Sequence, residues 1–165
     1  MHDALTLLPN REYFRARLEL ALSGNEPPHQ ALAVLYLSLN LEDYILPINA
    51  YGHHAGDEFI KMIARRLVAA VRAEDMLSRQ GKDRFACLVP GRAKRDELSD
   101  LAGIVLSAVS TPLEAGVLHL CVHPSIGIAI YPLHGTRAEA LLMNAEVAMN
   151  RAKQNDTGYA FADER

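Results

Sequence analysis

The 165-residue sequence predicts an α/β sandwich built on a mixed sheet, and three observations predict it. Residues 31–39 (ALAVLYLSL) form a short, almost wholly apolar run bounded by turn-formers, as expected of a central strand covered on both faces. Apolar residues recur at helical spacing in several stretches around it. Residues 76–79 and 85–89 flank a short polar segment containing Gly81, which reads as a β-hairpin. Strands alternating with helices around a tight hairpin define the class.

The elements follow in order. Asn10 stands where a helix N-cap belongs, and Phe14, Leu18, Ala21 and Leu22 follow at helical spacing until the loop at residues 23–29. Over residues 55–71, Phe59, Ile60, Ile63, Leu67 and Val71 recur at three and four with Lys61, Arg65 and Arg66 between them, an amphipathic helix. Residues 93–109 form another. Residues 118–130 hold two β-rich stretches interrupted at Pro124, read as a strand pair or one long bent strand. Thr136 and Glu139 have capping-box spacing and open a helix carrying Leu141, Leu142, Ala145, Ala148, Met149 and Ala152. A final short strand covers residues 159–161.

Composition narrows the function classes. Half the residues are hydrophobic, 22% are charged and the net charge is -3, the profile of an ordinary globular domain rather than a disordered or nucleic-acid-coating chain. No nucleic-acid polymer is expected as a partner. No apolar run reaches the roughly 18 to 20 residues of a membrane-spanning helix, and no signal-peptide pattern opens the chain, so a cytoplasmic location without membrane contact is expected of this segment. Cys87 and Cys121 lie in apolar stretches and are expected to be buried structural thiols. Of seven histidines only His53 and His54 adjoin, and adjacent side chains diverge, so no histidine metal site is expected.

Four blocks in order carry a family resemblance. They are residues 3–11 (DALTLLPNR), residues 51–58 (YGHHAGDE), the turn Gly81-Lys82-Asp83-Arg84-Phe85, and residues 125–129 (SIGIA) together with residues 145–153 (AEVAMNRAK). The chain resembles the GGDEF family of bacterial diguanylate cyclases across nearly its whole length, with Leu7 where the family's opening motif has glycine. The resemblance implies a fold similar to the palm of adenylyl cyclases and polymerases, with a mainly antiparallel sheet flanked by helices. Active members dimerise, present one GTP per protomer and form cyclic di-GMP. Residues 1–165 are then a single GGDEF-like domain, expected to be a fragment of a larger signalling protein that continues into an EAL phosphodiesterase domain.

That chemistry needs two divalent cations held by carboxylates to activate a 3′-hydroxyl against an α-phosphate. Aligned without gaps, the family's leading metal-binding aspartate falls on Asn40, and in the turn the third-position ligand survives as Asp83 while the neighbouring catalytic glutamate is Arg84. A guanidinium about 4 Å from a dication repels it by about 8 kcal/mol at an effective dielectric of about 20. The expectation is a degenerate catalytic site with Asp83 as a vestigial metal ligand, no cofactor, and Mg²⁺ only where residual cyclase activity or GTP binding persists. Lys82 replaces the glycine that lets backbone approach phosphate, so an altered turn is expected, with the lysine acting as a point charge for phosphate or standing in a solvated loop.

Other nucleotide contacts carry over in part. The guanine-reading asparagine lands on Ile48, with Asn49 one place later; the second guanine contact is Asp57, alternatively a first-turn acid favoured by the helix dipole. Of the phosphate-binding residues, Lys153 is retained, whereas the family's other lysine is Ile45 and its arginine is Thr157. Gly81 completes the vestigial pocket. Arg72 and Asp75 have the R-x-x-D spacing and position of the family's product-inhibition site, where arginine and aspartate grip cyclic di-GMP; by themselves they read equally as a surface charge pair. The resemblance thus implies a regulatory module binding cyclic di-GMP or GTP, with an active cyclase and a nucleotide-free dimerisation domain as alternatives.

Overall fold

The computed structural model describes residues 1–23, 31–44, 52–115 and 118–163. Its centre is the predicted apolar strand β1 (Leu32–Ser38), paired antiparallel with β3 (Arg84–Pro90) on one side and β6 (Ser125–Tyr131) on the other. The hairpin partner β2 (Met76–Arg79) forms one edge and β7 (Tyr159–Phe161) the other, giving the order β2-β3-β1-β6-β7. Among the described residues every pairing is antiparallel except β6 with β7, whose parallel run the intervening helix makes possible by carrying the chain back along the sheet.

Alternation along the strands separates two cores. Ala33, Leu35 and Leu37 pack with Phe85, Cys87, Val89, Ile126 and Ile128 against helices α2 (Gly52–Ala70) and α3 (Arg95–Ser110). Leu32 and Val34, on the opposite face, pack with Ala86, Leu88 and Ala129 against α1 (Arg11–Ser23) and α4 (Ala138–Asn155). The first helix starts as its sequence predicts: Asn10 Oδ1 accepts the Tyr13 N–H at 2.9 Å, and Phe14 and Leu18 are fully buried. Helix α4 lies so close to β6 that a Cβ on Gly127 would fall 1.8 Å from the Ala145 carbonyl oxygen. Only glycine permits that approach.

Three expectations need correction. The β-rich stretches around Pro124 are neither a mutual pair nor one bent strand: Leu118–Leu120 (β5) pairs with Leu113–Ala115 (β4) in a separate two-stranded ribbon, and β6 joins the main sheet alone. The partner of β5 is the neighbouring segment just after α3, a local antiparallel pairing (Leu113 with Leu120, Ala115 with Leu118) that takes up the β-rich stretch before Pro124. The capping box does not form. Helix α4 begins at Ala138 with Arg137 at the N-cap and no side-chain cap, which puts Glu139 one place too early to reach back; Glu139 instead meets Arg15 at 3.5 Å. Cys87 is buried, and burial pushes its thiol pKa upward, but Cys121 is exposed, with Sγ donating to the Ser110 carbonyl at 3.0 Å. Among the described residues no group of histidine, cysteine and carboxylate side chains is arranged to hold a metal ion, and no helix is long and apolar enough to cross a membrane.

Candidate functional site

The hairpin turn is residues 80–83, closed by Gln80 and Gly81 N–H groups that both donate to the Arg84 carbonyl, at 2.8 and 3.3 Å. Neither Gly81 nor Lys82 has a left-handed φ, and a Cβ on Gly81 would meet only the Arg84 side chain at 3.7 Å. The turn therefore carries Lys82 on ordinary backbone, and the lysine is exposed. What fixes the loop is a residue that motif reading passed over. Arg79 donates through Nε to the Gly81 carbonyl at 3.1 Å and through Nη2 to the Lys82 carbonyl at 2.8 Å, while Nη1 lies 3.1 Å from Asp3 Oδ2. Asp3 also accepts the Thr6 N–H at 2.9 Å and its hydroxyl at 2.8 Å. Burial opposes ionisation of Asp3, but the hydrogen bonds from Thr6 and Arg79 outweigh it and hold the carboxyl below its usual range. An arginine ending a hairpin strand, with an acid in the opening motif, is the signal by which this tie could have been found.

Asn40 and Asp83 are the two positions where the sequence leads one to expect the metal carboxylates. Asn40 is buried and left-handed at φ 57°, a conformation asparagine tolerates. Its side chain is committed: Oδ1 accepts the Ser38 hydroxyl at 2.9 Å, and Nδ2 donates to the His123 carbonyl at 2.9 Å and the Ser125 hydroxyl at 3.0 Å. A carboxylate would have no proton for either acceptor. Asp83 Oδ2 accepts the Leu41 N–H at 3.0 Å, and its backbone carbonyl accepts the Leu39 N–H at 3.0 Å, so it splices the turn to the end of β1.

Arg84 does not stand isolated beside Asp83. Its Nη1 lies 3.4 Å from Glu146 Oε2 on α4, and its Nε lies 3.7 Å from Asp83 Oδ1. The half-buried phenol of Tyr36 belongs to the same cluster; burial and then Glu146 raise its pKa, against the opposing effect of Arg84. One cation between two carboxylates is a compensated group.

The remaining positions separate. Lys153 forms an ion pair with Glu42 in the short turn Leu41–Tyr44, and with Asn40 it lines a cavity of about 520 Å³. Asp57 is exposed in the second turn of α2, which removes the first-turn dipole reading because α2 begins at Gly52. Asn49, Ile45 and Ile48 lie outside the described residues. Thr157, in the place of the family's arginine, donates its hydroxyl to the Tyr159 carbonyl at 3.3 Å.

Arg72 and Asp75 close on each other. Arg72 Nη2 is 2.7 Å from Asp75 Oδ1, Nε is 3.3 Å from Oδ2, and the Arg72 N–H donates to Oδ2 at 3.0 Å. The Asp75 side chain has 0% exposure and that of Arg72 has 29%. Arg72 also donates through Nη2 to the Pro90 carbonyl at 2.8 Å, which ties the turn after α2 to the end of β3. The hydrogen bond that Arg72 donates to Asp75 raises the guanidinium pKa further. In this arrangement the outward-facing member is Arg72, and Asp75 orients it.

A central antiparallel sheet with one parallel edge strand, covered by helices on both faces and carrying a tight hairpin beside the end of its middle strand, is the architecture of a nucleotide-cyclase palm. Residues 1–158 match the family model described as diguanylate cyclase, GGDEF domain, and the chain belongs to that family. It is 37% identical over 162 residues to the bifunctional diguanylate cyclase/cyclic di-GMP phosphodiesterase MucR of Pseudomonas aeruginosa, covering 98% of this chain and 23% of MucR. It is 28% identical over 156 residues to the cyclic di-GMP phosphodiesterase PdeR of Escherichia coli, covering 94% of this chain and 23% of PdeR. Among solved structures, the GGDEF domain of TpbB (YfiN) from Pseudomonas aeruginosa superposes with a TM-score of 0.89 at 33% identity, covering 99% of this chain and 95% of that one. The chain thus spans under a quarter of MucR and PdeR, and it is a GGDEF domain of cyclic di-GMP signalling.

Proposed function

We propose that this domain is a regulatory GGDEF module that has lost cyclase chemistry and responds to cyclic di-GMP through Arg72. The observation that carries the reading is the state of the catalytic positions. Asn40 is spent on His123 and Ser125, and Arg84 lies between Asp83 and Glu146. One carboxylate, already bonded to the Leu41 N–H and 3.7 Å from a guanidinium nitrogen, is a donor set that does not fit a pair of Mg²⁺ ions. Cofactor-free operation is the corresponding proposal. Arg72 keeps part of its fork at the surface while Asp75 and Pro90 hold it in place, an arrangement suited to phosphate or a guanine edge. GTP bound near Lys153 and Asp57 is the second ligand of the same reading.

The small share of MucR and PdeR that the chain spans supports placing the domain in a longer protein; a cytoplasmic location, a homodimer and an adjoining EAL domain are further parts of the proposal. Isothermal titration with cyclic di-GMP is the test. Heat for the wild type that vanishes in Arg72→Ala supports the reading, whereas no heat, or equal heat in both, overturns it. A second reading, an active cyclase, draws on the cyclase activity in the name of MucR. Cyclic di-GMP formed from GTP with Mg²⁺ or Mn²⁺ would establish it.

A further inference from the structure

Three basic side chains from three elements converge on the last described residues. Arg151 of α4 donates through Nη2 to the Ala162 carbonyl at 2.7 Å and to the Phe161 carbonyl at 3.5 Å. Arg95, the first residue of α3, lies with its Cζ 4.6 Å from the centre of the Phe161 ring and forms an ion pair with Asp163. His134, buried between β6 and α4, places Nε2 3.5 Å from the same carboxylate. Its Nδ1 accepts the Ile130 N–H at 2.9 Å, so the ring proton of the neutral imidazole is on Nε2 and faces Asp163. Burial opposes ionisation of Asp163, but the bonds from Arg95 and His134 outweigh it and keep the carboxyl below its usual range. The His134 carbonyl in turn accepts from Asn144 of α4 at 2.6 Å.

The strand held by this cluster is short, and Phe161, 3% exposed, anchors it in the same core as β1, so beyond Phe161 it is the polar contacts that hold residues 162 and 163. β7 has three residues and lies at the sheet edge, with the Ile126 N–H bonded to the Gly158 carbonyl at 2.9 Å and the Ala162 N–H to the Ile128 carbonyl at 2.8 Å. The Arg95 and Asp163 side chains are 43% and 44% exposed, so their attraction is screened by salt, unlike the packing around β1. We propose that residues 162 and 163 are an electrostatically held strap, closed by Arg95, His134 and Arg151, that opens while Phe161 stays in the core and the sheet stays intact. Segments of low local stability are the ones that proteins move in regulation. The regulatory role of the strap rests on the reading of the domain as a module in a longer chain; the opening itself does not.

Amide hydrogen exchange by NMR on the 165-residue chain, without nucleotide, tests it. Asp163→Asn, Arg95→Gln and the wild type in about 1 M salt should each accelerate exchange about three- to tenfold at Ala162, whose N–H is bonded to the Ile128 carbonyl, with Ile126, Val34 and Leu35 unchanged. Unchanged exchange at the strap overturns the proposal. Uniform acceleration that includes Val34 and Leu35 also overturns it, because the strap would then not open separately. A failed cyclic di-GMP titration alongside the localised pattern removes the ligand reading and leaves the strap standing.

Discussion

Arg84 reaches across from the signature turn to α4, where its Nη1 lies 3.4 Å from Glu146 Oε2. The residue in the place of the catalytic glutamate therefore joins the hairpin to the helix that also carries Lys153. Arg84→Glu would face Glu146 and Asp83 with a third carboxylate. It should lower stability by about 1–2 kcal/mol in urea unfolding and produce no cyclic di-GMP from GTP, and the exchange Arg84→Glu with Glu146→Arg should recover most of the stability. Cyclase activity in the single variant would overturn the reading that Asn40 and Asp83 no longer fit the metal ions, and would leave Arg84 as the sole cause of the loss.

Restoring the leading acid should fare no better. Asn40→Asp removes the proton donors that serve the His123 carbonyl and Ser125 hydroxyl and places a charge in a buried site. A loss of about 2 kcal/mol is expected, read from the denaturation midpoint with an unchanged slope.

Leu7 adopts φ 63° with its side chain 74% exposed, in the place of a family glycine. Left-handed backbone costs a non-glycine residue about 1–2 kcal/mol, and a glycine's extra freedom in the unfolded chain returns roughly half of that. Leu7→Gly should therefore raise stability by about 0.5–1 kcal/mol in chemical denaturation, and a loss of stability would show that the leucine makes a contact worth more than the strain.

Gly127→Ala should be among the most damaging single changes. Its Cβ would lie 1.8 Å from the Ala145 carbonyl oxygen and 2.4 Å from the Met149 nitrogen, both backbone atoms of α4 that cannot turn aside. About 3 kcal/mol is expected, a fall in Tm of about 6–12 °C by calorimetry.

Asp3 predicts an acid-linked step. Its folded pKa is depressed below the unfolded value of about 3.9, so its contribution is fully present above that value and is lost as pH falls through the folded value. The stability gap between the wild type and Asp3→Asn should be widest near neutral pH and should close as pH falls below the unfolded value and through the lower folded one. A gap that is constant with pH would show that the charge on Asp3 is not what holds Arg79.

The sequence by itself determined whatever rests on local spacing. Asn10 caps α1 because its side chain reaches an N–H three residues on, the helical periods of α2 and α3 mark their buried faces, and the apolar run of β1 implies cover on both sides. Aligned motifs likewise located Asn40, Asp83, Arg84, Arg72 and Asp75. Only the tertiary structure decided how those groups are used. Arg84 finds Glu146 62 residues away, Asn40 finds Ser125 85 residues away, and Arg79 finds Asp3 across the N-terminal turn. The helix start at Ala138 was not legible either, because the capping-box spacing of Thr136 and Glu139 fitted a start one residue earlier. Charges and hydrogen-bonding groups act over a few ångströms of space, and the distance along the chain between partners says nothing of that separation until the sheet has formed.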